Sequence, residues 1–249
     1  MRRRWPRWRR RAVGAVGGSG LIALSWFGAP LALRQVALFR VRQIELVGIR
    51  NLAPDAVIAA LRLDPRASVF TDTRLLADRV RGLTGVADAR VVRRLPSALM
   101  VEVKEVEPAA LAPPIQRGGL VPVDAAGRPL PFDPARTALD LPIAASRDSG
   151  VVGVLALIQS VDPTLFQTIT GARAARGGGG SGGGVVLELG AHRVLVARDA
   201  GPEVIRAVVQ VAQDLNAKGR PYVELDARYA GQVVVRRRAT AGRGGAAGA

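Results

Sequence analysis

The chain has 249 residues, 49% of them hydrophobic, with a formal net charge of +16, one histidine and no cysteine. That excludes disulfide bracing and thiolate zinc sites, and it leaves enough apolar sequence to build one or two cores unaided. The charge is concentrated: residues 1–11 carry +7, and Arg236, Arg237, Arg238 and Arg243 carry +4, so the middle is only mildly basic, about +5. This is not the basic face of a nucleic-acid binder.

In chain order, MRRRWPRWRRR (residues 1–11) precedes AVGAVGGSGLIALSWFGAPLAL (residues 12–33), which holds no charge. As a helix that run is about 33 Å long, enough to cross a hydrocarbon core. The flanking arginines keep the N-terminal side in the cytoplasm and send the rest across. All three tryptophans, Trp5, Trp8 and Trp26, lie in or beside the run, where headgroup-level rings are expected. A cleaved signal peptide would have a shorter run and a small-x-small site, and Ala29-Pro30-Leu31-Ala32 is a poor one. The expectation is a transmembrane helix over 12–33 behind a cytoplasmic basic tail over 1–11. The glycines from Gly14 to Gly28 make it a weakly apolar anchor.

The first folded unit runs from 39 to 107. Val41–Val47 alternates Ile44 and Leu46 with Gln43 and Glu45, a half-buried strand. Pro54 then opens a helix with Val57, Ile58 and Leu61 on one face. A second helix begins at Thr71-Asp72, either of which can cap it, with Leu75, Leu76, Val80 and Leu83 as its apolar stripe. Gly82 and Gly85 close it. Val86–Leu95 and Ala98–Val106 alternate as two strands around a Pro96-Ser97 turn. Strand, helix, helix, strand, strand in about 70 residues requires both helices to cover one face of a small sheet.

The segment GVADARVVRRLPSALMVEVKEVEPAAL (residues 85–111) resembles the FtsQ/DivIB family. The resemblance is carried by Val86, Ala89, Val91, Arg93, Pro96, Leu99, Val101, Val103, Glu105, Pro108 and Ala109. It implies that 39–107 is a POTRA domain behind a single anchor.

A second unit spans 111–237, entered through Pro113-Pro114 and Gly118-Gly119. Leu120–Phe132 reads as two short strands about the Asp124–Gly127 turn. Gly153–Val161 has helical spacing, and Thr164–Thr170 is read as a strand. Residues 177–184 are seven glycines and one serine, a hairpin insertion that cannot pack a core. Val185–Leu189 and Val194–Ala197 form a hairpin around Gly190–Arg193. Pro202 opens a helix with Val204, Ile205, Val208, Val209, Ala212 and Leu215 inward, ended by Lys218-Gly219. Tyr222–Asp226 and Gln232–Arg236 are the last strands, and 238–249 reads as a disordered tail. The fold class is therefore α+β: a transmembrane helix, a β-α-α-β-β POTRA domain, and a β-rich domain with flanking helices.

YVELDARYAGQVVVRR (residues 222–237) resembles the C-terminal region of the same family, through Asp226, Arg228, Tyr229 and Gly231. The family resemblance implies a divisome scaffold in the bacterial inner membrane at the septum, linking early and late division proteins and helping to control septal peptidoglycan synthesis. It implies an FtsB/FtsL-type partner docking by strand addition on Asp226, Arg228, Tyr229, Gly231, Gln232, Val233, Val234 and Val235. It also implies contacts with other division proteins through the POTRA unit, for which Arg74, Arg79 and Arg81 are candidates beside their plainer reading as a solvated helix face.

No catalytic, cofactor or metal site is expected. His192 reads as an exposed turn residue. Glu102, Glu105 and Glu107 lie on or at the end of a solvated strand face. Glu224 and Asp226 lie two apart with no further ligand nearby in sequence. The glycine run lacks the Gly-Lys-Ser/Thr ending of a phosphate loop, and no serine lies in G-x-S-x-G. The alternative function, a POTRA-containing component of a transport or outer-membrane assembly system, would need a barrel of many alternating strands, and none is evident.

Overall fold

The computed structural model describes residues 37–115, 118–133, 140–175, 183–229 and 231–237. The basic tail, the 12–33 run, most of the glycine-rich segment and the 238–249 tail lie outside the described residues. Among the described residues no helix is long and apolar enough to cross a membrane. The chain divides into two compact units between Glu105 and Val106.

The first unit has the expected order: β1 (Gln43–Val47), α1 (Pro54–Leu61), α2 (Thr73–Arg81), β2 (Val86–Arg94) and β3 (Ala98–Glu105), preceded by a 3₁₀ turn at Ala37–Phe39. The strands lie in the order β1-β3-β2. β2 and β3 form the antiparallel hairpin, with Val91 opposite Val101. β1 joins β3 in parallel, with Ile44 opposite Leu99, which is why two helices must intervene. Ala89, Val91, Leu99, Val101 and Val103 are buried together with Val57, Leu61, Leu76 and Val80. Ile58 and Leu75, both expected inward, are exposed instead. Short helices over a three-stranded sheet bury a narrower stripe than their apolar spacing suggests.

Polar groups fix the loops. The Asp72 Oδ1 accepts the backbone N–H of Arg74 at 2.9 Å and so caps α2. The Arg79 Nη1 donates to the Leu61 carbonyl at 2.7 Å at the end of α1. Glu105, expected on a solvated strand end, reaches back 55 residues. Its carboxylate accepts the backbone N–H groups of Arg50, Asn51 and Leu52 and the Asn51 Nδ2, all between 2.8 and 3.0 Å.

The second unit has an eight-stranded sheet. Its strands are β4 (Ala110–Ala112), β5 (Val121–Val123), β6 (Ile143–Ala144), β7 (Gly171–Ala174), β8 (Gly184–Leu189), β9 (His192–Ala197), β10 (Glu224–Tyr229) and β11 (Gln232–Arg236). Their order is β11-β10-β9-β8-β7-β6-β4-β5. The helices α3 (Ser149–Val161) and α5 (Pro202–Ala217) pack on the sheet, with the short α4 (Pro163–Thr168) beside α3. Val151, Leu155 and Ile158 of α3 and Ile205 and Val208 of α5 bury against Leu187, Val196 and Leu225.

Thr164–Thr170 is not a strand: Asp162 accepts the Leu165 N–H at 2.8 Å, Pro163 fills the first turn, and Phe166 is buried, so α4 forms there. The cap and proline outweigh the β-branched threonines. In Leu120–Phe132 only β5 is a strand; the return is a single bridge of Val123 to Pro129, because Pro129 and Pro131 cannot donate to a ladder. The glycine-rich segment joins the antiparallel neighbours β7 and β8, as a hairpin insertion should.

Replacing Glu105 with Ala strands three loop amides and should destabilise the first unit by roughly 2–3 kcal/mol. Leu99→Ala, a cavity at the sheet centre, should cost about 3 kcal/mol. Urea unfolding followed by circular dichroism would read both; an unchanged midpoint for Glu105→Ala would remove the loop-clamp role.

Candidate functional site

The C-terminal edge is built by one crossover. β9 leads into α5, and α5 delivers β10 parallel to β9, with Leu225 opposite Val194. The turn at Gly231 then reverses the chain, and β11 pairs antiparallel to β10. Gly231 takes a left-handed φ of +70°, which a side chain would resist. Among the described residues β11 is paired on one side only and is the sheet's edge.

Strand alternation sorts the expected docking residues. Val233 and Val235 are half-buried and pack on the core shared with α5. Val234 is 43% exposed and Tyr229 48% exposed, and both lie at the edge hairpin. Gln232 is exposed opposite Tyr229. Asp226, opposite Val234, is buried at 2% exposure. It is therefore not a contact surface.

Asp226 instead grips Arg228. Its Oδ1 accepts the Arg228 Nε at 2.9 Å and its Oδ2 the Arg228 Nη2 at 2.7 Å, a two-pronged ion pair. The Oδ1 also accepts the Arg228 backbone N–H at 3.2 Å. Asp226 and Arg228 stand two apart on β10 and so share a face, and the register to β11 shifts between Asp226 and Tyr229. The Arg228 hydrogen bonds hold the Asp226 carboxyl below the ordinary carboxylate range, against the opposing effect of burial. The Arg228 stem crosses the start of β8, where a Cβ on Gly184 would lie 2.8 Å from its Cδ. The Arg228 guanidinium carbon lies 6.0 Å from the Tyr229 ring centre.

A second pair, Arg236 Nε to Glu224 Oε1 at 3.3 Å, ties β11 to β10 directly across the ladder. With Arg173, Arg193 and Arg228, these residues line a shallow basin of about 290 Å³ on the sheet. Glu224 and Asp226 are thus each occupied by an arginine. The basin is not evident from the sequence, because its lining comes from β7, β8, β9, β10 and β11, and β10 joins them only through its parallel insertion.

His192 is not an exposed turn residue. Its ring stacks on Tyr222 at 4.5 Å, and its Nδ1 lies 2.9 Å from the Tyr222 carbonyl oxygen. It clasps the incoming strand. A comparable clasp holds α3: Arg198 donates to both Asp148 oxygens, at 3.1 and 2.9 Å. Burial raises the Asp148 carboxyl, but hydrogen bonds from the Gly150 N–H and Arg198 outweigh it, and the net shift is downward. Of the candidate contacts on α2, Arg79 is engaged with α1 and Arg81 pairs with Asp78 and Asp88, while Arg74 is exposed.

Residues 39–105 match the family described as the POTRA domain, FtsQ-type. Two similar proteins, each named Cell division protein FtsQ, come from Mycobacterium tuberculosis and Anaeromyxobacter sp. The first is 33% identical over 96 residues, covering 38% of this chain and 31% of the relative. The second is 32% identical over 139 residues, covering 53% of this chain and 42% of the relative. The matched region therefore spans 31% and 42% of the length of these two relatives.

Asp226→Asn removes one partner of a buried ion pair and should destabilise the second unit by about 3 kcal/mol at neutral pH. Because the folded carboxyl titrates below its unfolded value, its contribution is complete above the ordinary carboxylate range and is lost as pH falls through the folded value. The gap in melting temperature between wild type and Asp226→Asn should therefore close on acidification from pH 7 to pH 2; a gap constant with pH would contradict the ion-pair account.

Proposed function

We propose that this chain, whose residues 39–105 match the POTRA domain, FtsQ-type, is a membrane-anchored cell-division protein that acts as a scaffold and not as an enzyme. Its place is the bacterial inner membrane at the division septum, with the arginine-rich residues 1–11 in the cytoplasm and both folded units outside. There it links early and late division proteins and helps to control septal peptidoglycan synthesis. Its partner is an FtsB/FtsL-type protein, which adds a strand to β11.

The observation that carries this reading is the β11 edge itself. An edge strand offers unpaired N–H and C=O groups at regular spacing, which a second chain can continue. Two exposed apolar side chains, Tyr229 and Val234, sit on that hairpin, and aromatic anchors of this kind concentrate binding energy. Asp226, Arg228 and Gly231 serve by holding the hairpin in shape, and Val233 and Val235 by fixing it to the core. The membrane tether adds to this by raising the effective concentration of partners in the same bilayer. Asp226 and Glu224, the two carboxylates of β10, are each held by an arginine, which supports the scaffold reading.

Tyr229→Ala and Val234→Lys should each weaken binding of the chain to its own FtsB/FtsL-type partner by at least about tenfold. Both side chains are half-exposed, so melting temperatures should hardly move. Titration by calorimetry would check this; wild-type affinity in both variants would rule out the β11 edge as the docking site.

A further inference from the structure

We propose that the end of the POTRA domain where the chain enters it docks on the headgroup surface of an anionic bilayer; this rests on the reading of residues 12–33 as a membrane span. Three stretches meet at that end. The Val41 N–H donates to the Ala67 carbonyl and the Val69 N–H to the Phe39 carbonyl, each at 2.9 Å. The Arg42 N–H donates to the Ser97 carbonyl at 2.8 Å. The entry segment 37–42, the turn at 64–70 and the β2–β3 turn at 95–97 therefore form one surface. The Phe39 and Phe70 rings pack edge to face at 5.2 Å and keep the entry turn against it.

That surface is both apolar and cationic. Leu95 is 64% exposed and Leu38 55%, more than any other large apolar side chain described in this unit. Arg40, Arg42, Arg66 and Arg94 are exposed around them. Among the described residues none of these four has a carboxylate partner. The three stretches hold a single acid, Asp64, whose Oδ1 accepts the Arg66 backbone N–H at 2.7 Å. Solvated arginines alone would need no leucines, and a protein partner could sit anywhere on the unit. The position of the surface favours lipid: only Arg34, Gln35 and Val36 separate it from the uncharged run. Three extended residues reach at most about 11 Å, and the headgroup layer is about 6 Å deep on each side. The two leucines are then within reach of the acyl boundary, with the arginines at the phosphates, where each cation adds about a fivefold preference for an anionic surface.

Docking would give the POTRA domain a second attachment to the bilayer and fix its orientation there. The chain has no cysteine, so single-cysteine variants report unambiguous positions. Ser19→Cys, Val47→Cys and Leu95→Cys in the full chain would carry an environment-sensitive fluorophore in nanodiscs with and without phosphatidylglycerol. Val47 is 49% exposed at the opposite end of β1 and is the control. The expected result is a blue shift and quenching by spin-labelled lipid at 19 and 95 but not at 47. The shift at 95 alone should fade without phosphatidylglycerol, in high salt, or in the Arg40→Ser, Arg42→Ser, Arg94→Ser triple variant. A label at 95 that behaves like the one at 47, while 19 is quenched, would overturn the docking and leave the span standing. An unquenched label at 19 would overturn the span and the docking with it.

Discussion

The C-terminal edge depends on β10 pairing parallel to β9. Two consecutive strands can pair in parallel only if a long crossover returns the chain to its starting end, and the 16-residue α5 does this. The crossover buries Ile205 and Val208 on the sheet and leaves β10 with one free side. The Gly231 turn then lays β11 on that side, and the chain supplies no further strand beyond it among the described residues. Edge position is thus a consequence of strand order, and strand order follows from the helix.

Holding a two-stranded extension at a sheet margin takes more than ladder hydrogen bonds. Three devices act here on different parts of the hairpin. His192 stacks on Tyr222 where β10 enters. The Asp226–Arg228 fork stiffens the bulge at its middle. The Glu224–Arg236 pair closes the ladder between its two strands. Only the middle one is buried on both sides, so it is the one whose loss leaves an uncompensated charge. Surface pairs such as Lys218–Asp214, more than half exposed on each side, contribute little by comparison.

The first unit was nearly all legible in the sequence because its signals are local. Alternating Leu99, Val101 and Val103, the Asp72 cap and Pro54 each act within a few residues of where they stand. The second unit was legible in pieces. The hairpin around Gly190, α5 and the last two strands follow from periodicity, but in Thr164–Thr170 β-branched composition competes with the stronger Asp162-Pro163 start signal, and the helix wins. The expected docking residues all fall on the β10–β11 hairpin, but Asp226 is buried there and held by Arg228. Its burial comes from the Arg228 side chain folded over it, a contact that strand alternation does not reveal. Glu105 and the arginine basin escaped for a related reason: their partners lie 55 residues away or on four separate strands.

In the proposed scaffold, the free side of β11 receives a partner strand. Hydrogen–deuterium exchange of the full chain, with and without its FtsB/FtsL-type partner, tests it most directly, because strand addition must slow exchange of outward-facing amides. Strand addition should give new protection across Gln232–Arg236 on binding, with β1 to β3 unchanged. Binding with unaltered exchange in β11, and protection elsewhere, would contradict it.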